Sequence, residues 1–186
     1  MNKKLLGDAL QRPDIQRFKA QQKIPVIVVL DDIRSLSNVG SIFRTCDGFN
    51  VQELMLCGIT GRPPHRDIQR TALGATESVA WRYFESTNLA LAAASDGGKD
   101  VKLICVEQAE LSVAPQHVLG TIDHNEDTVF VVVLGNEVQG VQQSLIDRSD
   151  AVVEIPQSGT KHSLNVTVAA GVVLWELYKG LELSSS

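Results

Sequence analysis

The sequence predicts an α/β domain built on a mainly parallel sheet with flanking helices. Three observations carry that prediction. The clearest strand candidates, "IPVIVVL" (24–30) and "TVFVVVLG" (128–135), are near-continuous β-branched runs, as strands covered on both faces require. Helical patterns alternate with the strands instead of following them in a block. A chain of 186 residues with a hydrophobic fraction of 44% is enough for one domain with a substantial core.

The elements follow in order. Residues 1–23 form a basic extension in which Leu5, Leu6, Leu10, Ile15 and Phe18 give a partly helical pattern that Pro13 breaks. The domain proper opens at Ile24 with the first strand. In "SNVGSIFRTCDGF", Ser37 is the expected N-cap, and Val39, Ile42, Phe43 and Cys46 fall at helical spacing. "LMLCG" (54–58) and "VAWRYF" (79–84) read as strands, with "GRPPHRDIQR" (61–70) as a loop between them. "STNLALAAASDGG" is a helix opened by Ser86 or Thr87 and closed by Gly97–Gly98. "VKLICVE" (101–107), the run at 128–135 and "AVVEIP" (151–156) supply the remaining strands. The valines of "LNVTVAAGVVLWELYKG" (164–180) suit either state locally; the length of the stretch and a stop at Gly180 favour a mostly buried helix. The domain is expected to run to Leu181 and the tail 182–186 to be disordered. No internal repeat is visible, and no low-complexity segment beyond the terminal serines.

Composition narrows the function. No stretch approaches the roughly 20 apolar residues that cross a bilayer. The start, "MNKKLLGDALQRPD", has two lysines, but Asp8 interrupts it before the apolar core of a signal peptide forms. A cytoplasmic protein with no membrane partner is expected. Cys46, Cys57 and Cys105 are widely spaced, and the histidines at 65, 117, 124 and 162 show no ligand spacing. Neither a disulfide framework nor a metal site is expected. The net charge of −5 is unevenly spread. Residues 1–82 hold 12 Lys and Arg against 8 Asp and Glu, whereas residues 83–186 hold 5 against 14. That asymmetry marks either one basic face or an ordinary solvated surface, and charge alone does not decide between them.

In such sheets chemistry gathers at the loops leaving the carboxyl ends of strands. Three of these loops are rich in Gly, Asn and Ser: "DDIRSLSNVGSIFR", "GNEVQGV" and "QSGTKHSLN". The chain has no GxGxxG after its first strand, no GxxxxGK[ST] and no GxSxG. This disfavours dinucleotide, P-loop and hydrolase readings.

Taken together, "NVGSIFRT" (38–45), "VLGNEVQGV" (133–141) and "IPQSGTKHSLNVTVAAGVVLWEL" (155–177) resemble the three motifs of the SpoU/TrmH branch of the SPOUT superfamily, in order and at compatible separations. Members are S-adenosylmethionine-dependent RNA ribose 2′-O-methyltransferases that need no metal. The resemblance implies that the C-terminal part of the chain is threaded into a deep trefoil knot. It also implies that the second and third motif loops wrap the methyl donor, S-adenosyl-L-methionine. On that basis Leu134, Gly135, Asn136, Gly140, Ile155, Gln157, Ser163 and Leu164 are the expected donor-binding residues. Leu134, Ile155 and Leu164 would be the apolar walls around adenine, and Gly135, Gly140 and Gly159 would permit close backbone approach. Arg44, Asn38, Glu137, Ser163 and Asn165 are the expected catalytic set.

Arg44 stands six residues after Asn38, nearly two helical turns, so both are expected to start from one side of the helix. Because a guanidinium is effectively always protonated, its preferred role is to anchor the phosphate and to stabilise developing oxyanion charge. Asn38 is either a turn or cap residue or an orienter of Arg44 or Glu137. Glu137 follows a buried strand and needs a partner, so it is read as holding a network rather than acting as a base. Ser163 and Asn165 have a simpler alternative as caps of the last helix. Asp31 and Asp32 are not counted as catalytic.

The partners implied are RNA and, from the family, a second copy of the chain, with a homodimer interface formed largely by the first and last helices. Arg44, Arg62, Arg66, Arg70, Lys161 and His162 are the expected RNA-facing residues, and plain surface is the alternative for Lys161 and His162. The 23-residue extension has six Lys and Arg against two Asp and Glu. With the 61–70 segment it makes a compact footprint, which favours a small folded RNA: tRNA over ribosomal RNA. Two rival functions stay open, a non-catalytic knotted RNA-binding module and a small-molecule α/β enzyme.

Overall fold

The computed structural model describes residues 2–5 and 10–182. Leu6 of the extension and residues 183–186 of the tail lie outside the described residues. The elements are α1 (Ile15–Ala20), β1 (Ile24–Asp31), α2 (Leu36–Gly48), β2 (Val51–Cys57), α3 (Arg66–Ala72), α4 (Ala75–Ser78), β3 (Trp81–Phe84), α5 (Thr87–Ala94), β4 (Val101–Val106), α6 (Val118–Thr121), β5 (Val129–Leu134), α7 (Gln143–Ile146), β6 (Ala151–Val153) and α8 (Val166–Glu182). A 3-10 turn at Pro115–His117 precedes α6.

The strands form one six-stranded sheet in the order β3-β2-β1-β5-β4-β6. Every pairing in it is parallel. The apolar runs lie where the sequence predicts them, at the centre: all six residues of β5 are buried, as are seven of eight in β1. Alternate side chains feed two cores. Val26, Val28, Leu30, Phe130 and Val132 pack against α2 and α8, through Ile42, Phe43, Val173 and Leu177. Ile27, Val29, Val131 and Val133 pack on the opposite face with Ala90, Ala94 and Leu145.

Several local expectations are corrected. Ser35, not Ser37, caps α2 by accepting from the Asn38 N–H at 3.3 Å. Ser86 caps α5, and that helix ends at Ala94, before the two glycines. The 61–70 segment is not all loop: His65 caps α3, which carries Arg66 and Arg70. Helix α3 rests on α2 at Gly40, where a Cβ would come within 2.1 Å of Thr71 Oγ1 and 2.2 Å of the Ile68 carbonyl oxygen. That long-range packing favours helix in a segment whose prolines read as loop. Gly180 does not stop α8, which continues to Glu182. It instead makes room for Leu119, which would lie 2.4 Å from a Cβ there. Nor is α8 mostly buried all round. Ala170, Val173, Leu174 and Leu177 face the core, while Val168, Val172 and Trp175 are 50%, 36% and 47% exposed. Of the extension, Phe18 in α1 is held down: Lys23 Nζ lies 3.4 Å from its ring centroid and donates to its carbonyl at 2.6 Å.

After β1 the chain moves toward β2, and after β5 it moves past β4 to β6 at the far edge. The loops leaving these two central neighbours therefore diverge, which opens a crevice at their carboxyl ends.

Candidate active site

Three chain segments meet at that crevice. Glu137 lies three residues beyond β5, and its carboxylate reaches back to the start of α2. Its Oε2 accepts the Arg34 N–H at 2.9 Å, and its Oε1 accepts the Ser35 N–H at 3.1 Å and Asn38 Nδ2 at 3.0 Å. These donors sit at a helix N-terminus, where unpaired N–H groups and the helix dipole favour an anion. Asn165 closes the node: its Nδ2 lies 3.4 Å from Asn38 Oδ1, and its own Oδ1 accepts from Thr167 N and Oγ1 at the start of α8. Asn38, Glu137 and Asn165, far apart in the chain, are thus brought together.

Partial burial pushes the Glu137 carboxyl up, but the N–H groups of Arg34, Glu137 itself, Asn38 and Ser35 outweigh it, and the pKa falls below the ordinary glutamate value. A carboxylate so held is a poor proton acceptor at neutral pH, and its chemistry is to fix geometry.

The loop after β5 is organised by its own residues. Asn136 Nδ2 donates to the Asp32 carbonyl at 2.7 Å, while its Oδ1 accepts the Val138 and Gln139 N–H groups at 2.9 and 3.2 Å. Gly135 packs directly on the turn, since a Cβ there would lie 2.3 Å from Val141 N. Gly140 has φ +69°, and a Cβ on it would meet Glu107 Oε2 at 2.0 Å. These glycines are required by the loop itself. Leu134 is 1% exposed and belongs to the core, with Ile155 partly buried beside it.

The loop after β6 is different. Gln157, Gly159, Lys161, His162, Ser163 and Leu164 are all exposed. Ser163 makes no side-chain hydrogen bond among the described residues, and Asn165 rather than Ser163 caps α8. A Cβ on Gly159 would meet nothing within 4 Å. Open backbone, small residues and a partly exposed Leu164 fit a ligand that combines an apolar ring with a polar tail.

Arg44 and Ser163 are the expected catalytic residues that the node does not include. Six residues advance a helix by about 600°, which leaves Arg44 about 120° around α2 from Asn38, so the two do not share a side. Arg44 is exposed between two cavities. One is an open groove of about 1660 Å³ that Arg12, Lys23, Asp47 and Tyr178 also line. The other is a shallow one of about 450 Å³ that also touches Ser41, Thr45, Thr167 and Gly171. Neither is lined by Glu137 or Asn165. Among the basic residues expected to face RNA, Arg62, Arg66 and Arg70 are exposed; Arg62 lies 4.4 Å from the Tyr83 ring centroid.

Cys46, Cys57 and Cys105 are buried and free, and burial pushes their thiols up, those of Cys57 and Cys105 to about 12. Such thiols are inert. The described residues contain no group of three His, Cys, Asp or Glu placed to hold a metal ion, and no helix long and apolar enough to cross a membrane. Asp31 is also buried, accepts from Thr87 Oγ1 at 2.5 Å, and is pushed up by burial. Sequence reasoning missed Glu107 and Gln108. The available signal for Glu107 was the one used for Glu137, a carboxylate placed just after an apolar strand.

The sequence profile of the SpoU rRNA Methylase family matches residues 25–175. The chain belongs to this family. An uncharacterized tRNA/rRNA methyltransferase of Borreliella burgdorferi is 25% identical over 91% of this chain and 70% of its own length. The 23S rRNA (guanosine-2′-O-)-methyltransferase RlmB of Vibrio cholerae is 27% identical over 90% of this chain, which spans only 64% of that relative. Among solved structures, the TrmH/SpoU tRNA modifying enzyme of A. aeolicus aligns with a TM-score of 0.75 at 25% identity, over 92% of this chain and 84% of that one. The AdoMet-bound rRNA methyltransferase of Sinorhizobium meliloti aligns with a TM-score of 0.71 at 25% identity, over 88% and 60%. The SpoU family is one of RNA methyltransferases, and the crevice just described lies within the matched residues.

Proposed function

We propose that this protein transfers a methyl group from S-adenosyl-L-methionine to a ribose 2′-hydroxyl of RNA, and that the RNA is a tRNA. The observation that carries the reading is the convergence of the three motif loops on the Asn38–Glu137–Asn165 node, in a member of the SpoU family. The donor brings a methyl group already activated by its sulfonium. What remains for the chain is to align hydroxyl and methyl and to hold developing charge.

The exposed loop 156–164 and the loop 135–141 would hold the donor, with Gln157, Ser163 and Leu164 on one wall and the ordered turn from Gly135 to Gly140 on the other. Asn136 contributes by shaping that turn, because its amide is already engaged with Asp32, Val138 and Gln139. Asn38, Glu137 and Asn165 are positioning residues that lock the start of α2 to α8. Arg44 holds RNA phosphate, and Lys161 and His162 face the RNA from the donor loop. In this reading the C-terminal part of the chain forms the trefoil knot, and two copies pair through α2 and α8. The exposed Val168, Val172 and Trp175 on α8 support that pairing.

A tRNA suits the compact basic surface of Arg62, Arg66, Arg70 and the extension. The A. aeolicus structure is of a tRNA modifying enzyme and the Vibrio relative acts on 23S rRNA, so ribosomal RNA is the alternative substrate. Incubating the purified protein with labelled donor and total RNA, followed by nucleotide mapping, tests the whole reading. Label on a base instead of a ribose, or none on RNA, would refute the activity; label confined to ribosomal RNA would refute the substrate. A stable, active monomer in light scattering at micromolar concentration would refute the pairing.

A further inference from the structure

We infer that Gln108, braced by Glu107, is a positioning residue that clamps the loop 156–164 to the loop 135–141 and so sets the methyl-donor site. This rests on the proposed reading of those two loops as the donor site. Glu107 and Gln108 follow β4 and lie outside all three sequence motifs.

The loop 156–164 is exposed throughout and contains no helix or strand. Among the described residues, one hydrogen bond ties it to the rest of the chain: Gln108 Nε2 donates to the His162 carbonyl at 2.7 Å. Gln108 is in turn held from its own backbone, whose N–H donates to Glu107 Oε1 at 2.8 Å. The other oxygen of Glu107 accepts the Val141 N–H at 2.9 Å, beside the positive-φ Gly140 that leaves room for it. Glu107 itself is fixed to the sheet through its N–H, which donates to the Val153 carbonyl at 3.1 Å. One dipeptide therefore grips both loops, and it is anchored on the strand β6 from which the second loop departs.

Each bond has a chemical direction. Gln108 must donate, because its partner is a carbonyl; Glu107 must accept, because both of its partners are N–H groups. A loop with a single tie opens readily, and a ligand that binds only the closed form loses affinity in proportion to the opening. The clamp thus acts on donor affinity and not on the methyl-transfer step.

The test compares wild type with Gln108→Ala and Gln108→Glu, the second nearly isosteric but unable to donate. Lys161 precedes the clamped His162 and is exposed, so trypsin reads loop opening directly. In the donor-free protein, cleavage after Lys161 should be several-fold faster in both variants than in wild type, as followed by mass spectrometry. The Kd for S-adenosylmethionine should rise about fivefold, the net worth of one such hydrogen bond. The kcat at saturating donor and RNA should stay within about twofold of wild type, and so should the KM for RNA, because opening taxes donor binding alone. A merely structural role would lower the thermal midpoint without this split between donor affinity and turnover. Unchanged trypsin cleavage at Lys161, or wild-type donor affinity in Gln108→Glu, would overturn the clamp. If wild type itself bound no donor, the proposed activity would fall, while the trypsin comparison would still decide whether Gln108 holds the loop.

Discussion

Glu137→Gln tests whether the node holds the site through a charge or through shape. The carboxylate uses both oxygens, Oε2 for the Arg34 N–H and Oε1 for the Ser35 N–H and Asn38 Nδ2. A glutamine keeps the shape and one oxygen. If its NH₂ faces Arg34, two N–H donors point at each other and one bond is lost; if it faces the other way, two are lost. Hydrogen bonds to a charged group contribute about 1.5–3 kcal/mol each in protected settings, and water reaches this one, so the low end applies. The bonds that remain also weaken without the charge. Together these come to about 2 kcal/mol, which corresponds to a fall of roughly thirty-fold in kcat/KM if the node must be formed in the transition state. Steady-state methylation of RNA at pH 7 measures it. The pH dependence supplies a second check. The folded pKa of Glu137 is lowered, so its stabilising contribution is complete above the ordinary glutamate value of about 4.3 and is lost as pH falls through the lower folded value. The difference in stability between wild type and Glu137→Gln should therefore be full at pH 7 and close in the acid range. A variant that methylates within threefold of the wild-type rate, with a stability gap that ignores pH, would refute the charge-based reasoning.

Arg44→Ala should remove methylation and leave donor affinity nearly intact in calorimetry, since neither cavity that Arg44 lines includes a residue of the donor loops; a loss of affinity as large as the loss of rate would contradict this. Arg44→Lys should be poorly tolerated in the same rate assay, because one ammonium does not reproduce a bidentate phosphate contact. Changing Arg62, Arg66 and Arg70 together to Ala should weaken RNA binding and flatten its salt dependence without altering donor affinity; an unaltered salt slope would place the RNA on another face. Gly40→Ala forces a Cβ against the Ile68 carbonyl oxygen and Thr71, which should cost about 2–3 kcal/mol and lower the thermal midpoint by roughly 4–12 °C.

What the sequence made legible follows from where each signal is stored. β1 and β5 are covered on both faces, so nearly every residue in them must be apolar, and a run of valines is readable without knowing any partner. Helix α3 was not readable, because its support is the missing side chain of Gly40, some thirty residues earlier, and its own start is marked by two prolines. Gly180 misled for a related reason: it looks like a stop, but it sits within α8 as a gap filled by Leu119. The node was legible only through the family resemblance. Asn38 and Glu137 are separated by 99 residues and Asn38 and Asn165 by 127, and no local rule joins them. Arg44 shows the limit of counting along a helix, since six residues make only about 1.7 turns and leave an offset of about 120°.

The residues that escaped sequence reasoning share a property. Glu107 and Gln108 bond chiefly to backbone N–H and C=O groups, which carry no side-chain identity to be matched in a sequence. The same holds for most of what Glu137 and Asn136 do. Polar side chains around the crevice are thus largely consumed in fixing loops, while the backbone of 156–164 is left almost without internal partners. In a closed protein interior such unpaired groups would be costly. On an exposed loop they are solvated, and they stay available to a ligand that carries its own donors and acceptors. Recognition of that kind depends on where the loop lies more than on which side chains it bears. That is why a glutamine outside every motif, by holding one carbonyl of the loop, has leverage on the site.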